Sequence, residues 1–460
     1  MPEMRGASFS FIARNVKTGE TLYEYDSDRN LIPASVMKLV TTATALEILG
    51  GDYRFSTVIE YDGEVTDGVL TGNIYIRGSG DPTLGSSFFA KSGSGSHPDN
   101  NTFIPQWVSA LKKAGIHSVE GRIIADESIF DSEGLSGKIL YEDMGSYYGA
   151  GSYGLNVFDN QYKMLLQTKE AGSKAEIKET IPALYGMAFH NYMTAANIST
   201  DSSLIMGAPF VNERYLYGSL PANKETFTLR GDIPDPALFL AQYFTESVRQ
   251  AGINISEEAT CYRILKEQGL WKENRRTELT VTYSPTLQNI VNITNEVSNN
   301  LYADAILKTV GLTYKPKSGE KISSFHKGLN VLRGYWTDRG VDVSSLHLFD
   351  GSGLAVTNKI TTTFLCDLLV YMHEKSTVSD VFVSSIPQAG IKGSVRNFLK
   401  GSHLQGSARL KSGGMSAVRS FAGYIEKDGN KYAVVVIVNN YSGKMRPMTN
   451  ALERLLLSLF

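Results

Sequence analysis

The sequence predicts an α/β (α+β) fold: an antiparallel sheet flanked by helices, carrying large β-rich inserted domains. Three observations predict it. Strand-like alternation marks both chain ends, helical periodicity fills 35–49 and 287–373, and from about residue 55 to 283 the texture turns to short strands and Gly/Ser loops. One domain is therefore expected from 1–54 and 284–460. A second is expected from 55–155 with 256–283, and a third from 156–255. An insertion of this length at a surface loop costs little closure entropy.

The elements follow in chain order. Ala7 to Asn15 and Thr21 to Asp26 alternate around Lys17-Thr18-Gly19-Glu20, which predicts a hairpin. After Pro33 a helix is expected from Ser35 to Leu49, stopped by Gly50-Gly51. Within the insert, helices are expected at Phe103 to Gly115 and Ala237 to Gly252. They end in the similar runs Lys113-Ala114-Gly115-Ile116 and Gln250-Ala251-Gly252-Ile253. Either the insert holds two similar small units or the two helices merely share a stop signal. Beyond Ser284-Pro285, helices are predicted at Leu287 to Val297, Leu301 to Val310, Ile322 to Arg339 and Thr361 to His373. Strands follow at Arg409-Leu410, Ser420 to Glu426 and Tyr432 to Val438, with Lys427-Asp428-Gly429-Asn430 as a turn. A final helix, Met448 to Leu459, carries the stripe Leu452, Leu455, Leu456 and Leu459.

Composition narrows the function. Forty-five basic residues stand against 47 acidic ones, a net charge of −2, so no whole-chain field attracts nucleic acid or anionic lipid. The longest apolar run, Ala433 to Val438, falls far short of the roughly 20 residues of a membrane span. Cys261 and Cys366 are too few for a disulfide framework or a thiolate metal site, and Cys366 reads as a buried thiol. No metal cluster and no cofactor loop is expected. Met1 to Arg5 holds no apolar signal core, which read literally means a cytoplasmic chain; one trimmed of its leader would read the same.

Serine chemistry is the class that fits. A serine nucleophile needs a base within reach and donors for the developing oxyanion. Ser-x-x-Lys on one helix face supplies the pair. The motif occurs four times, at Ser35-Lys38, Ser109-Lys112, Ser318-Lys321 and Ser324-Lys327. Ser35 stands apart because it opens a helix after a Pro-containing loop, where free N–H groups support negative charge. Val36, Met37, Leu39 and Val40 surround Lys38, and desolvation there favours the neutral amine of a general base. Ser298-Asn299-Asn300 lies at a break between two predicted helices. It either aims a hydroxyl and an amide into a cleft or simply caps the next helix. Lys-Ser/Thr-Gly occurs at Lys17, Lys91, Lys317 and Lys411, and only Lys411-Ser412-Gly413 joins two strands. On an exposed edge it offers a cation and a hydroxyl to a substrate carboxylate. Gly413 lets a peptide approach by strand addition, and the N–H groups of Ser35 and Gly414 make the oxyanion hole.

The ordered trio of Ser35-x-x-Lys38, Ser298-x-Asn300 and Lys411-Ser412-Gly413 is the set found in penicillin-binding proteins and class A β-lactamases. The chain resembles the three-domain D-alanyl-D-alanine carboxypeptidases/endopeptidases, the class C low-molecular-mass penicillin-binding proteins, from about Gly6 to Leu459. Further likeness lies in Gly78 to Leu84, Tyr147 to Ala150, Arg230 to Pro236 and Asp350 to Leu354. More than half of the chain separates Ser35 from Ser298, as in that family. The resemblance implies a serine-acyltransferase (β-lactamase/transpeptidase-like) catalytic domain and an acyl-enzyme on Ser35. Lys38 would be its base, with Ser298 and Asn300 assisting and Lys411 and Ser412 binding the terminal carboxylate. It implies peptidoglycan stem peptides as substrate, β-lactam antibiotics as covalent inhibitors and a periplasmic location. It also implies that Asp143 binds the amino group of a diamino-acid side chain, against the plain reading of a loop carboxylate. The chain departs at Ala355-Val356, where relatives often carry Arg. The alternatives are a β-lactamase or esterase on the same fold, and a non-catalytic wall-binding protein.

Overall fold

The computed structural model describes residues 2–89 and 102–460, so the Lys91-Ser92-Gly93 copy and the Ser92 to Ser96 loop lie outside the described residues. The chain forms two compact units. One comprises Met1–Tyr53, Ser136–Lys138 and Thr286–Phe460; the other comprises Arg54–Leu135 and Ile139–Pro285.

The first unit is built on a five-stranded antiparallel sheet in the order Thr21–Tyr25, Ser8–Asn15, Asn430–Asn439, Val418–Lys427, Ala408–Met415. Its last hairpin turns at Asp428 and Gly429, both left-handed at φ +50° and +75°, the two-residue geometry that matches strand twist. Alternate residues of this sheet, among them Phe11, Phe421, Val434, Val436 and Val438, pack with Met448, Leu452 and Leu456 of the C-terminal helix Met445–Leu459. That helix starts three residues before its expected first residue. Elsewhere in the unit Tyr424 Oη donates to Leu369 O at 2.8 Å, joining the sheet to the helix Thr362–Glu374. Cys366 lies on that helix, buried, its thiol pushed up to about 12 by burial. The helix Met37–Leu49 is buried on every side from Met37 to Leu46, so it is a core rod rather than an amphipathic surface helix. Around it stand Leu287–Val297, Asn300–Val310 and Ser324–Asp338, and Trp336 Nε1 donates to Thr44 Oγ1 at 2.9 Å. A further short helix, Ser379–Ser385, has no sequence expectation behind it.

In the second unit the two echoing helices are Phe103–Lys113 and Pro236–Gln250. Each ends at a left-handed glycine, Gly115 or Gly252, so the shared stop signal is physical. They also lead to equivalent strands: Ser118–Val119 pairs in parallel with Asn254–Ile255, and Ile123–Asp126 with Thr260–Cys261. Trp107 and Phe244 meet edge to face, 5.2 Å between ring centroids, at the helix contact. The helix Pro236–Gln250 thus shares its core with residues from Ile59 to Ala125. The family-like block from Arg230 to Pro236 has a structural role in this unit. Asp232 takes two of the three Arg214 nitrogens, Nε at 2.8 Å and Nη2 at 2.9 Å; Asp235 accepts from Leu238 N at 3.1 Å, capping the helix, and pairs with Arg263 at 2.6 Å. No helix among the described residues is long and apolar enough to cross a membrane.

Candidate active site

Ser35 does not start the α-helix, as its position after Pro33 predicts. It sits in a 3-10 turn, Ala34–Val36, and the regular helix begins at Met37. The cause is Ala34, held left-handed at φ +48°. Such a conformation costs about 1–3 kcal/mol and persists only where surroundings enforce it. Here they do. Ser420 Oγ donates to Pro33 O at 2.6 Å, and Asn439 Oδ1 accepts from Ile32 N at 2.7 Å. A Cβ at Gly353 would lie 2.0 Å from Ala34 O, so only glycine lets that loop close on the turn. Lys38, three residues on in the first turn of the regular helix, still lies over Ser35. Its Nζ donates to Ser35 Oγ at 3.0 Å, Asn300 Oδ1 at 2.6 Å and Ser352 O at 2.6 Å.

Lys38 is completely buried. Burial pushes its amine down from 10.5 to about 8, while the carboxylates of Asp304 and Asp350 act in the opposite direction. Those two acids are buried too. Asp304 accepts from Gly351 N at 2.9 Å, and burial raises it to about 7. Asp350 accepts from Gly353 N at 2.8 Å, Ala355 N at 2.6 Å and Asn358 Nδ2 at 2.8 Å. The block from Asp350 to Leu354 is thus the loop that carries Ser352 O to Lys38. Sequence reasoning did not assign Asp304, although it lies one turn beyond Asn300 on the same helix face.

For Ser298-Asn299-Asn300 both readings hold, on different residues. Asn299 caps the helix Asn300–Val310 by accepting from Tyr302 N at 3.1 Å. Ser298, at φ +63°, ends the preceding helix, and its Oγ accepts from Lys411 Nζ at 2.8 Å. Lys411 also donates to Ser412 O at 2.8 Å. Its strand, Ala408–Met415, is the sheet edge, but Lys411, Ser412 and Gly413 are buried and only Gly414 of the four is exposed, less open than expected. Burial, then the Lys38 and Arg419 charges, drive the Lys411 amine well below its usual value. Ser412 Oγ is 2.8 Å from Ser394 Oγ, a partner absent from the sequence reading. A Cβ on Gly413 would stand 2.9 Å from Ser35 N and 2.8 Å from Pro33 O, which measures how closely the edge strand meets the nucleophile's turn. Three distant segments therefore meet around one hydroxyl. Asp143 belongs to the second unit, half-buried beside Tyr148, its carboxyl raised by burial. Among the described residues no group of three His, Cys, Asp or Glu side chains is arranged to hold a metal.

The family model described as D-Ala-D-Ala carboxypeptidase 3 (S13) matches residues 1–456. The chain belongs to this family. As an S13 peptidase it is a serine-type hydrolase. It is 27% identical to the D-alanyl-D-alanine carboxypeptidase of Actinomadura sp. (strain R39), across 96% of this chain and 79% of that one. It is 22% identical to the D-alanyl-D-alanine carboxypeptidase DacB of Haemophilus influenzae, across 96% and 87%. The crystal structure of penicillin binding protein 4 from Haemophilus influenzae superposes with a TM-score of 0.82 at 22% identity, covering 100% of this chain and 98% of that one. That protein has also been solved complexed with a β-lactam. The fold of this S13 peptidase is therefore that of penicillin binding protein 4.

Proposed function

We propose that this S13 peptidase cleaves D-alanyl-D-alanine and related peptide bonds of peptidoglycan through an acyl-enzyme on Ser35. Ser35 Oγ attacks the carbonyl carbon as neutral Lys38 Nζ takes its proton. The backbone N–H groups of Ser35 and Gly414 receive the oxyanion. Lys38 passes the Ser35 proton to Ser298 as Ser298, hydrogen-bonded to Lys411, gives its own to the departing amine; the C–N bond breaks and Lys38 is neutral again. Water then attacks the ester, with Lys38 again the base, and Ser35 leaves with a proton. Asn300 holds Lys38 and the substrate carbonyl side, while Ser412 receives the terminal carboxylate. The substrate lies outside the cytoplasm, so the enzyme acts there, and β-lactams acylate the same serine.

One observation carries this reading: the buried Lys38 amine, lowered to about 8, lies 3.0 Å from the Ser35 hydroxyl. Labelled penicillin is expected to attach to Ser35, and Ser35→Ala to lose the adduct. An intact, folded enzyme with no label on Ser35 overturns it.

A further inference from the structure

On the peptidase reading above, a cation must read the substrate's carboxylate. Lys411 is the obvious cation of the edge strand, yet it is ill-placed to answer alone. It is completely buried, and it already donates to Ser298 Oγ and Ser412 O. A second cation lies beside it.

Arg419 stands on the neighbouring strand, directly opposite Gly414 in the antiparallel register, and Phe421 stands opposite Ser412. Paired residues share a face and faces alternate along a strand, so Ser412, Gly414 and Arg419 belong to one face of the sheet. The guanidinium is half-buried and spans the pair: Nη1 donates to Gly413 O at 3.2 Å, and its carbon lies 4.4 Å from the Phe421 ring centre. Its Nε is buried with no acceptor. Among the described residues no carboxylate forms an ion pair with it. A buried N–H left unmade and a cation without a counter-charge are both costly. Such a group makes sense where a ligand completes it. The opening exists, because Gly414 is exposed and a Cβ there would come within 3.1 Å of Nη1 and of Met445 Cε. Burial lowers the guanidinium to about 10, so it stays charged at neutral pH. Arginine offers two parallel N–H groups, which suits a carboxylate better than an ammonium does.

We propose that Arg419 is the carboxylate-reading residue of this site, binding the α-carboxylate of the leaving D-amino acid over Gly414, with Ser412 Oγ as its companion. It touches the leaving residue and takes no part in proton transfer.

The test compares two acyl donors that differ only at the leaving residue: a D-Ala-D-Ala peptide with a free carboxylate, and the same peptide ending in the carboxamide. The ratio of kcat/KM, acid over amide, is measured for the wild type, Arg419→Met and Arg419→Lys, each checked for its folding transition. The ratio is expected to fall about 10- to 100-fold in Arg419→Met, mostly through KM, and to recover partly in Arg419→Lys. A ratio that stays at the wild-type value in folded Arg419→Met overturns the inference. Should Arg419→Met fail to fold, an Arg419→Lys ratio equal to that of the wild type overturns it instead. Ser35 acylation by a carboxylate-free thioester, run on the wild type, keeps the two readings apart. No acylation there sinks the peptidase reading, whereas acylation with an unmoved ratio sinks only the role of Arg419.

Discussion

Lys411 Nζ donates to Ser298 Oγ at 2.8 Å, and Ser298 reaches that ammonium from a left-handed backbone at φ +63°. The break between two helices is therefore strained in order to face a hydroxyl toward the edge strand. Holding a non-glycine residue there costs about 1–3 kcal/mol, which the fold offsets elsewhere.

Replacing Ser298 separates the two consequences. Ser298→Ala and Ser298→Gly both remove the proton-relaying hydroxyl, so turnover of a D-Ala-D-Ala peptide should fall about 10²-fold in each. Stability should split them, since glycine accepts the left-handed conformation and alanine does not. Thermal unfolding is expected to put the glycine variant at or above the wild type and the alanine variant below it. Equal turnover in wild type and both variants would remove Ser298 from the mechanism.

The base predicts a pH profile. Burial brings Lys38 down to about 8, and the active form is the neutral amine. Acylation by penicillin, followed before the steady state, should therefore rise with pH through about 8. Asp304 and Asp350 oppose that lowering, so Asp304→Asn should move the rising limb toward acid. Stability carries the matching sign. Between about 8 and the ordinary 10.5 the unfolded chain binds the proton that folded Lys38 has lost, so stability rises with pH across that window. A limb that moves toward base in Asp304→Asn would contradict the assignment.

Gly413 is a contact, not merely a gap. An added methyl would stand 2.3 Å from Ser420 Oγ and 2.9 Å from Ser35 N. Gly413→Ala should thus push the edge strand off the nucleophile's turn, at about 1–3 kcal/mol of overpacking. Penicillin labelling should drop more steeply than the folding midpoint. Wild-type labelling in this variant would show that the strand need not sit so close.

Much of this site was legible because each motif carries its own local signal. Ser35 and Lys38 show through the proline, the apolar neighbours and the three-residue spacing, and Lys411 through the strands on either side of it. What stayed hidden depends on long-range closure. Asp304 and Asp350 are ordinary acids until the loop at Ser352 folds onto Lys38, and Ser394 meets Ser412 only through the irregular segment before the edge strand. Arg419 carries no local signal, because its unpaired Nε exists only in three dimensions. The left-handed Ala34 was equally invisible, since nothing in Pro33-Ala34-Ser35 announces a turn that Ser420 and Asn439 impose. The helix echo in the insert was visible as a repeated stop signal, while the pairing of Ser118–Val119 with Asn254–Ile255 was not.

The second unit gives the last prediction, about stability rather than chemistry. Arg214 is completely buried and holds Asp232 through two nitrogens, with Val211 O and Glu213 O each accepting at 2.9 Å. Burial raises Asp232, and the guanidinium is what holds that rise in check. Removing one member leaves a buried charge alone, which costs about 3–5 kcal/mol. Arg214→Met should therefore lower the denaturant midpoint of the insert sharply, and pairing it with Asp232→Leu should recover much of the loss, since a matched apolar pair avoids the desolvation. The double variant is the informative one. If it unfolds as readily as Arg214→Met alone, the arginine acts through its bonds to Val211 and Glu213 rather than through the acid.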